Sequence, residues 1–194
     1  MFTDLFLKLL NREAASPKRK SKRIIETLRI TKGGTIADIG SGGGYFTLEF
    51  ARRVGENGKV YAVDNKPQYL DFVKRQSGKI GLNNIEFITG GSGAANLPTS
   101  SLDLIFARNV FHHLPEPTRY FRDLKKTLKP GGRVAIIDHT PKKRLTFVNL
   151  FKHFTPVEEI LETMESAGYR LSESFDFLPA QAFMVFSSSS DEKR

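Results

Sequence analysis

Two carboxylates and a run of glycines carry the densest chemical signal in the chain. Asp38-Ile39-Gly40-Ser41-Gly42-Gly43-Gly44 follows a short apolar run, and Asp64 ends the next one, twenty residues beyond Gly44. Glycines at such a place let the backbone turn sharply and approach a ligand closely, with the N-terminus of a following helix behind them. A carboxylate about twenty residues further on can accept both hydroxyls of a ribose. A dinucleotide loop wants glycine at 40, 42 and 45, whereas position 45 is Tyr45, so the spacing here is Asp-x-Gly-x-Gly-x-Gly. Arg108 and Asn109 end a further apolar run, His112 and His113 come just after it, and His139 directly follows another. Strand ends of this kind are the edge at which open α/β sheets bind ligands, and a histidine there is a candidate general base.

These groups need elements to hold them. Phe2, Leu5, Phe6, Leu9 and Leu10 recur at i, i+3, i+4, i+7 and i+8, an amphipathic helix pattern. Ser16-Pro17 predicts a second helix to about Ile30, which Gly33-Gly34 breaks. Strands are expected over 35–39, 60–63, 85–88, 102–107 and 133–138, with helices over 45–54, 67–80 and 118–128. Pro130-Gly131-Gly132 reads as the stop of the last of these helices, and Pro156–Ala167 is expected to form another, capped by Gly168. Two final runs, about 170–177 and 182–187, are too close for a crossover helix and predict an antiparallel hairpin. Five alternations of strand and helix followed by a hairpin predict a doubly wound α/β sheet of seven mostly parallel strands. Residues 1–32 are expected to form N-terminal helices, 33–187 the main domain and 188–194 a frayed tail.

With the loop, Asp64 and the terminal hairpin together, the chain resembles the class I S-adenosylmethionine-dependent methyltransferases, in particular the small stand-alone ones. The resemblance covers roughly residues 20–187. It rests on Ile36 to Phe46, Val60 to Asp64, Leu102 to Phe106 with Asn109 to Leu114, and Leu128 to Val134. It implies S-adenosyl-L-methionine as cofactor, with the loop of Gly40, Ser41, Gly42 and Gly44 along its methionine part. Asp38 would lie near the methionyl ammonium, and Asp64 would bind the ribose with Asn65 beside it. His112 matches a position that often lines the pocket beside the sulfonium, and Arg108 and Asn109 are counted with the cofactor site. The N-terminal helix corresponds to segments that close as a lid in several relatives. One departure stands out: the family usually places an acidic residue after the third strand to hold the adenine amino group. Here Gly93 occupies that position, leaving Ser92 or backbone groups for the adenine. Losing a charge-assisted hydrogen bond of that kind costs about 1.5–3 kcal/mol.

Composition narrows the chemistry. The 194 residues contain no cysteine, which excludes a disulfide framework, a thiolate metal site and any thiol nucleophile. Pyrimidine C5 methylation and arsenite methylation, both of which use cysteine thiolates, are set aside on that ground. The Asn/Asp-Pro-Pro-aromatic signature of amino-adenine methylation is absent, Arg108 to Phe111 occupying that strand end. No metal ligand set is expected. Absence of cysteine fits a reducing compartment, and a cytoplasmic location is expected. No apolar run approaches the roughly 20 residues of a membrane span.

The net charge of +9 is uneven. Residues 1–35 carry nine basic and three acidic residues, 36–118 balance at eight each, and 119–144 carry nine and two. The predicted cofactor region is thus neutral between two basic stretches, of which Lys18, Arg19, Lys20, Lys22 and Arg23 form the densest run. The length leaves little for a separate recognition module, which favours a small-molecule acceptor, and the flanking charge favours an anionic one. RNA or protein methylation through the basic segments is the alternative enzyme. A non-catalytic cofactor-binding relative is a third reading, and peripheral membrane contact through Phe2–Leu10 and the basic run a fourth. Phe147, Phe151 and Phe154 with His153 form an aromatic stripe, read as core packing or an acceptor-pocket wall.

Overall fold

A computed structural model describes residues 2–90, 96–140 and 154–188. It divides into two compact units, Met1–Gly91 and Ser92–Arg194. The seven strands form one mixed, mostly parallel sheet in the order β3-β2-β1-β4-β5-β7-β6, the doubly wound α/β architecture expected from the alternation of elements.

The first unit contains α1 (Phe2–Ala15), α2 (Ser21–Thr27), β1 (Thr35–Ile39), α3 (Tyr45–Val54), β2 (Lys59–Asp64), α4 (Pro67–Lys79) and β3 (Ile85–Thr89). β1 pairs with β2 and β2 with β3, both parallel. β1 and β2 are buried along nearly their whole length, as strands covered on both faces must be. Their carboxyl ends carry Asp38 and Asp64.

Two N-terminal expectations change. The helix expected from Ser16 to Ile30 is a 3-10 turn, Pro17–Arg19, followed by the shorter α2. Lys20 and Arg29 take left-handed backbone angles, φ 51° and 48°, and these interrupt and end the helix. In α1 the inward residue is Leu7, which packs with Phe72 and Val73 of α4 and with Leu10. Asn11 Nδ2 donates to the Gly43 carbonyl at 2.6 Å, and Arg75 bonds Asp4 at 2.8 Å. Phe2, Leu5, Phe6 and Leu9, the residues that give α1 its periodicity, face solvent.

The glycine loop is shaped by what lies behind it. Gly44 starts α3 with φ 81°, and a Cβ there would come within 2.6 Å of Val73. A Cβ on Gly43 would lie 2.4 Å from Asn11 Oδ1 and 2.8 Å from the Leu7 carbonyl. The loop therefore fits between α1 and α4 only with hydrogen at both positions.

The second unit contains β4 (Leu102–Arg108), a 3-10 turn (Phe111–His113), α5 (Pro117–Lys125), β5 (Leu128–His139), α6 (Val157–Ser166), β6 (Tyr169–Phe175) and β7 (Gln181–Ser188). β4 and β5 are parallel, while β7 runs antiparallel to both β5 and β6, which gives the expected hairpin. Pro130-Gly131-Gly132 does not separate helix from strand. β5 begins at Leu128 and bulges, Leu102 pairing with Leu128 and Leu104 with Arg133. Gly131 takes φ 75°, and a Cβ on Gly132 would meet the Leu102 carbonyl at 2.7 Å, so the bulge needs both glycines.

Replacing Gly43 by Ala will push α1 off the loop and lower stability by about 1–3 kcal/mol in urea unfolding. An unchanged midpoint contradicts this packing.

Candidate active site

In the first unit, Asp64 holds the glycine loop from across the sheet edge. Its Oδ2 accepts the Gly42 N–H at 2.9 Å and its Oδ1 the Lys66 N–H at 3.0 Å. Gly40 and Ser41 both donate their N–H to the Val63 carbonyl, at 2.8 and 3.0 Å, and Gly44 donates to the Ser41 carbonyl at 2.8 Å. A carboxylate has about four acceptor positions, so Asp64 keeps capacity for two hydroxyls. Ser41 Oγ is buried and has no hydrogen-bond partner among the described residues. A Cβ on Gly42 would meet nothing nearer than the Gly40 carbonyl at 3.8 Å, so there is room beside the loop. Asn65 is exposed at the end of β2. Ser92 and Gly93, the expected adenine contacts, lie outside the described residues, as do Phe147, Phe151 and His153.

Asp38 is buried at the end of β1, where the Thr47 hydroxyl of α3 donates to it. Burial pushes its carboxyl up to about 7, the Thr47 hydrogen bond opposes the rise, and the Asp64 charge adds to it. A cation nearby would restore the carboxylate. Two acids, an unpartnered hydroxyl and a helix N-terminus suit a ligand carrying both hydroxyls and an ammonium.

In the second unit, Asp138 is fully buried near the end of β5 and takes three hydrogen bonds. Its Oδ2 accepts the His112 N–H at 2.9 Å, and its Oδ1 accepts the His139 N–H at 2.7 Å. His112 Nδ1 lies 2.8 Å from Oδ1, with its side chain 5% exposed. Both Asp138 oxygens already accept backbone N–H groups, so in this contact Nδ1–H is the donor, which leaves Nε2 as the ring's acceptor nitrogen. His113 is exposed, its ring 4.0 Å from that of His112, and His139 is half-buried. The two neighbouring histidines thus differ in setting, one ring held against Asp138 and the other exposed.

Arg108 and Asn109 form a second polar group with a residue the sequence did not single out. Gln181 Nε2 donates to Asn109 Oδ1 at 2.6 Å, and Arg108 Nη2 donates to Gln181 Oε1 at 3.3 Å. Asn109 adopts φ 56°, a strained angle that asparagine tolerates better than most residues. Asp138 was missed as well, though a signal existed. Like Asp38 and Asp64, it terminates an apolar strand, Val134 to Ile137.

The family described as methyltransferase domain matches residues 30–181. The crystal structure of a SAM-dependent methyltransferase from Aquifex aeolicus superposes with a TM-score of 0.79 at 26% identity, covering 94% of this chain and 96% of that one. The chain belongs to the S-adenosylmethionine-dependent methyltransferases. It is an enzyme of the class I fold, with S-adenosylmethionine as its cofactor. Among curated relatives, an arsenite methyltransferase of Halobacterium salinarum is 35% identical over 106 residues, 55% of this chain and 27% of its own length. The ubiquinone/menaquinone biosynthesis C-methyltransferase UbiE of Salmonella arizonae is 27% identical over 164 residues, 81% of this chain and 65% of its own length. The methyltransferase thus spans from about a quarter to two thirds of these relatives. No helix among the described residues is long and apolar enough to cross a membrane.

The raised Asp38 carboxyl has a cost with a defined sign. Its folded value, about 7, lies above the usual 3.8, so ionisation weakens the unliganded fold. The penalty is absent below pH 4, grows from pH 4 to 7 and is complete above 7. Asp38→Asn will therefore be more stable than the wild type at pH 8 without ligand, by about 2–4 kcal/mol. The gap will close as pH falls towards 4. Urea unfolding of both proteins at several pH values measures it, and a pH-independent gap contradicts the buried charge.

Proposed function

We propose that this methyltransferase methylates a small-molecule acceptor by in-line displacement, with Asp38, Asp64 and Ser41 holding the cofactor and His112 serving as base. The observation that carries the cofactor half is the pair of acids around a glycine loop whose buried hydroxyl has no partner among the described residues. Asp64 takes the ribose hydroxyls. Asp38 faces the methionyl ammonium, and Ser41 and the amides of Gly40 to Gly44 follow the methionine part. Asn65 stands beside Asp64 at the ribose, and Arg108 and Asn109 are taken as further cofactor contacts.

When bound, S-adenosylmethionine supplies an electrophilic methyl on a sulfonium whose departure needs no protonation. The protein's share is alignment, worth about 7–11 kcal/mol in well-ordered cases, and proton removal from a hydroxyl or ammonium acceptor. His112 Nε2 takes that proton, and Asp138 holds the ring and stabilises the imidazolium. His113 and His139 flank this group, His113 on the exposed side. The names of the curated relatives, an arsenite methyltransferase and a ubiquinone/menaquinone biosynthesis C-methyltransferase, support a small molecule. The arsenite chemistry itself does not transfer, because this chain has no thiolate to capture arsenic. The neutral centre between two basic stretches supports an anionic acceptor over a neutral one.

Calorimetry will show binding of S-adenosylmethionine and its demethylated product, weakened at least about tenfold by Asp64→Ala. Affinity for the ammonium-bearing cofactor will fall as pH drops below 7, because the Asp38 proton must be displaced. No binding at millimolar concentration ends this reading. Isotopically labelled methyl should pass into the small-molecule fraction of a cell extract. His112→Ala should cut that transfer by about 10²–10⁴-fold with cofactor affinity unchanged. Label appearing in RNA or protein instead would overturn the acceptor class.

A further inference from the structure

Six large apolar side chains are exposed among the described residues, and four of them stand on α1. Phe2 is 87% exposed, Leu5 58%, Phe6 49% and Leu9 54%, the others being Ile80 and Leu171. At 3.6 residues per turn the four fall within an arc of about 100°, on the side of the helix opposite Leu7 and Asn11. Solvent-facing apolar residues clustered on one face mark an interaction surface. Lys8 and Arg12, both exposed, border the stripe, and Lys18, Lys22 and Arg23 are exposed just beyond it. Two of the three acids in residues 1–35 are held by arginines, Asp4 by Arg75 and Glu13 by Arg19.

We propose that the outer face of α1 docks on an anionic lipid surface, with Phe2, Leu5, Phe6 and Leu9 entering the headgroup–acyl boundary beside the cations. The chemistry is complementary in both parts: apolar rings and branched chains for the acyl region, and a segment of net charge +6 for acidic headgroups. Charge argues against a second copy as the occupant, since that contact would bring two such segments together. The helix is already formed and anchored through Leu7, the Asn11–Gly43 bond and the Asp4–Arg75 pair, so docking requires no folding step. The stripe lies on the face of α1 turned away from the glycine loop, and its test does not depend on the acceptor.

Co-sedimentation of the full chain with vesicles decides it. The protein should pellet with phosphatidylcholine vesicles containing phosphatidylglycerol, remain soluble with pure phosphatidylcholine, and be released by salt. Phe6→Ser with Leu9→Ser, and separately Lys18→Glu with Lys22→Glu, should each lower the bound fraction about tenfold. Thermal unfolding and cofactor affinity of both variants should match the wild type, which separates lost docking from lost folding. Failure to pellet with anionic vesicles overturns the proposal, as does equal pelleting with neutral ones or full binding by either variant. A concentration-dependent dimer abolished by Phe6→Ser, without vesicle binding, would assign the stripe to a second copy instead.

Discussion

Asp38 is a carboxyl group closed into the interior at the end of a parallel strand, with one hydroxyl donor and a second acid nearby. Little water reaches it, so its charge must be met by the protein or by a ligand. Within the first unit the Thr47 hydroxyl meets it only in part, and the carboxyl is accordingly pushed up to about 7. Much of the local construction follows from this group. β1 ends one residue later, the chain turns away in glycines, and α3 starts close enough to bring Thr47 into reach. A cationic ligand at this position would offset that cost.

Asp138 answers the same constraint in the opposite way. It too is fully buried near a strand end, yet it accepts two backbone N–H groups and the imidazole of His112. It is satisfied from within, and in return it fixes the ring orientation and tautomer of a histidine. One unit thus contains a buried acid met by few donors, the other a buried acid that holds a histidine ring. In the proposed reaction the first would meet the positively charged cofactor and the second would hold the base that takes the acceptor's proton.

The sequence made the cradle legible because its parts are local. Apolar runs that end in acids, glycines at fixed spacing and a helix start can all be read along the chain. The unreadable parts depend on distant partners. Gln181 joins Asn109 from 72 residues away, and Asp138 joins His112 from 26. Neither pairing leaves a periodic trace. The periodicity of α1 was visible, but it cannot say which of two apolar sides meets the core; Leu7 does, backed by Phe72 and Val73 of α4. Pro130-Gly131-Gly132 reads as a stop by composition, whereas pairing with β4 turns it into a bulge inside β5. Boundaries fixed by pairing across the sheet yield to tertiary structure in this way.

Titration of Asp38 tests directly whether this carboxyl is held for a cationic ligand. A carboxyl-detected NMR titration of the protein with ¹³C-labelled aspartate, assigned through Asp38→Asn, follows the group with and without S-adenosylmethionine. The midpoint should lie near 7 in the unliganded protein and fall into the ordinary carboxylate range on binding. An unliganded midpoint already near 4, or one that does not move when the cofactor binds, would contradict it.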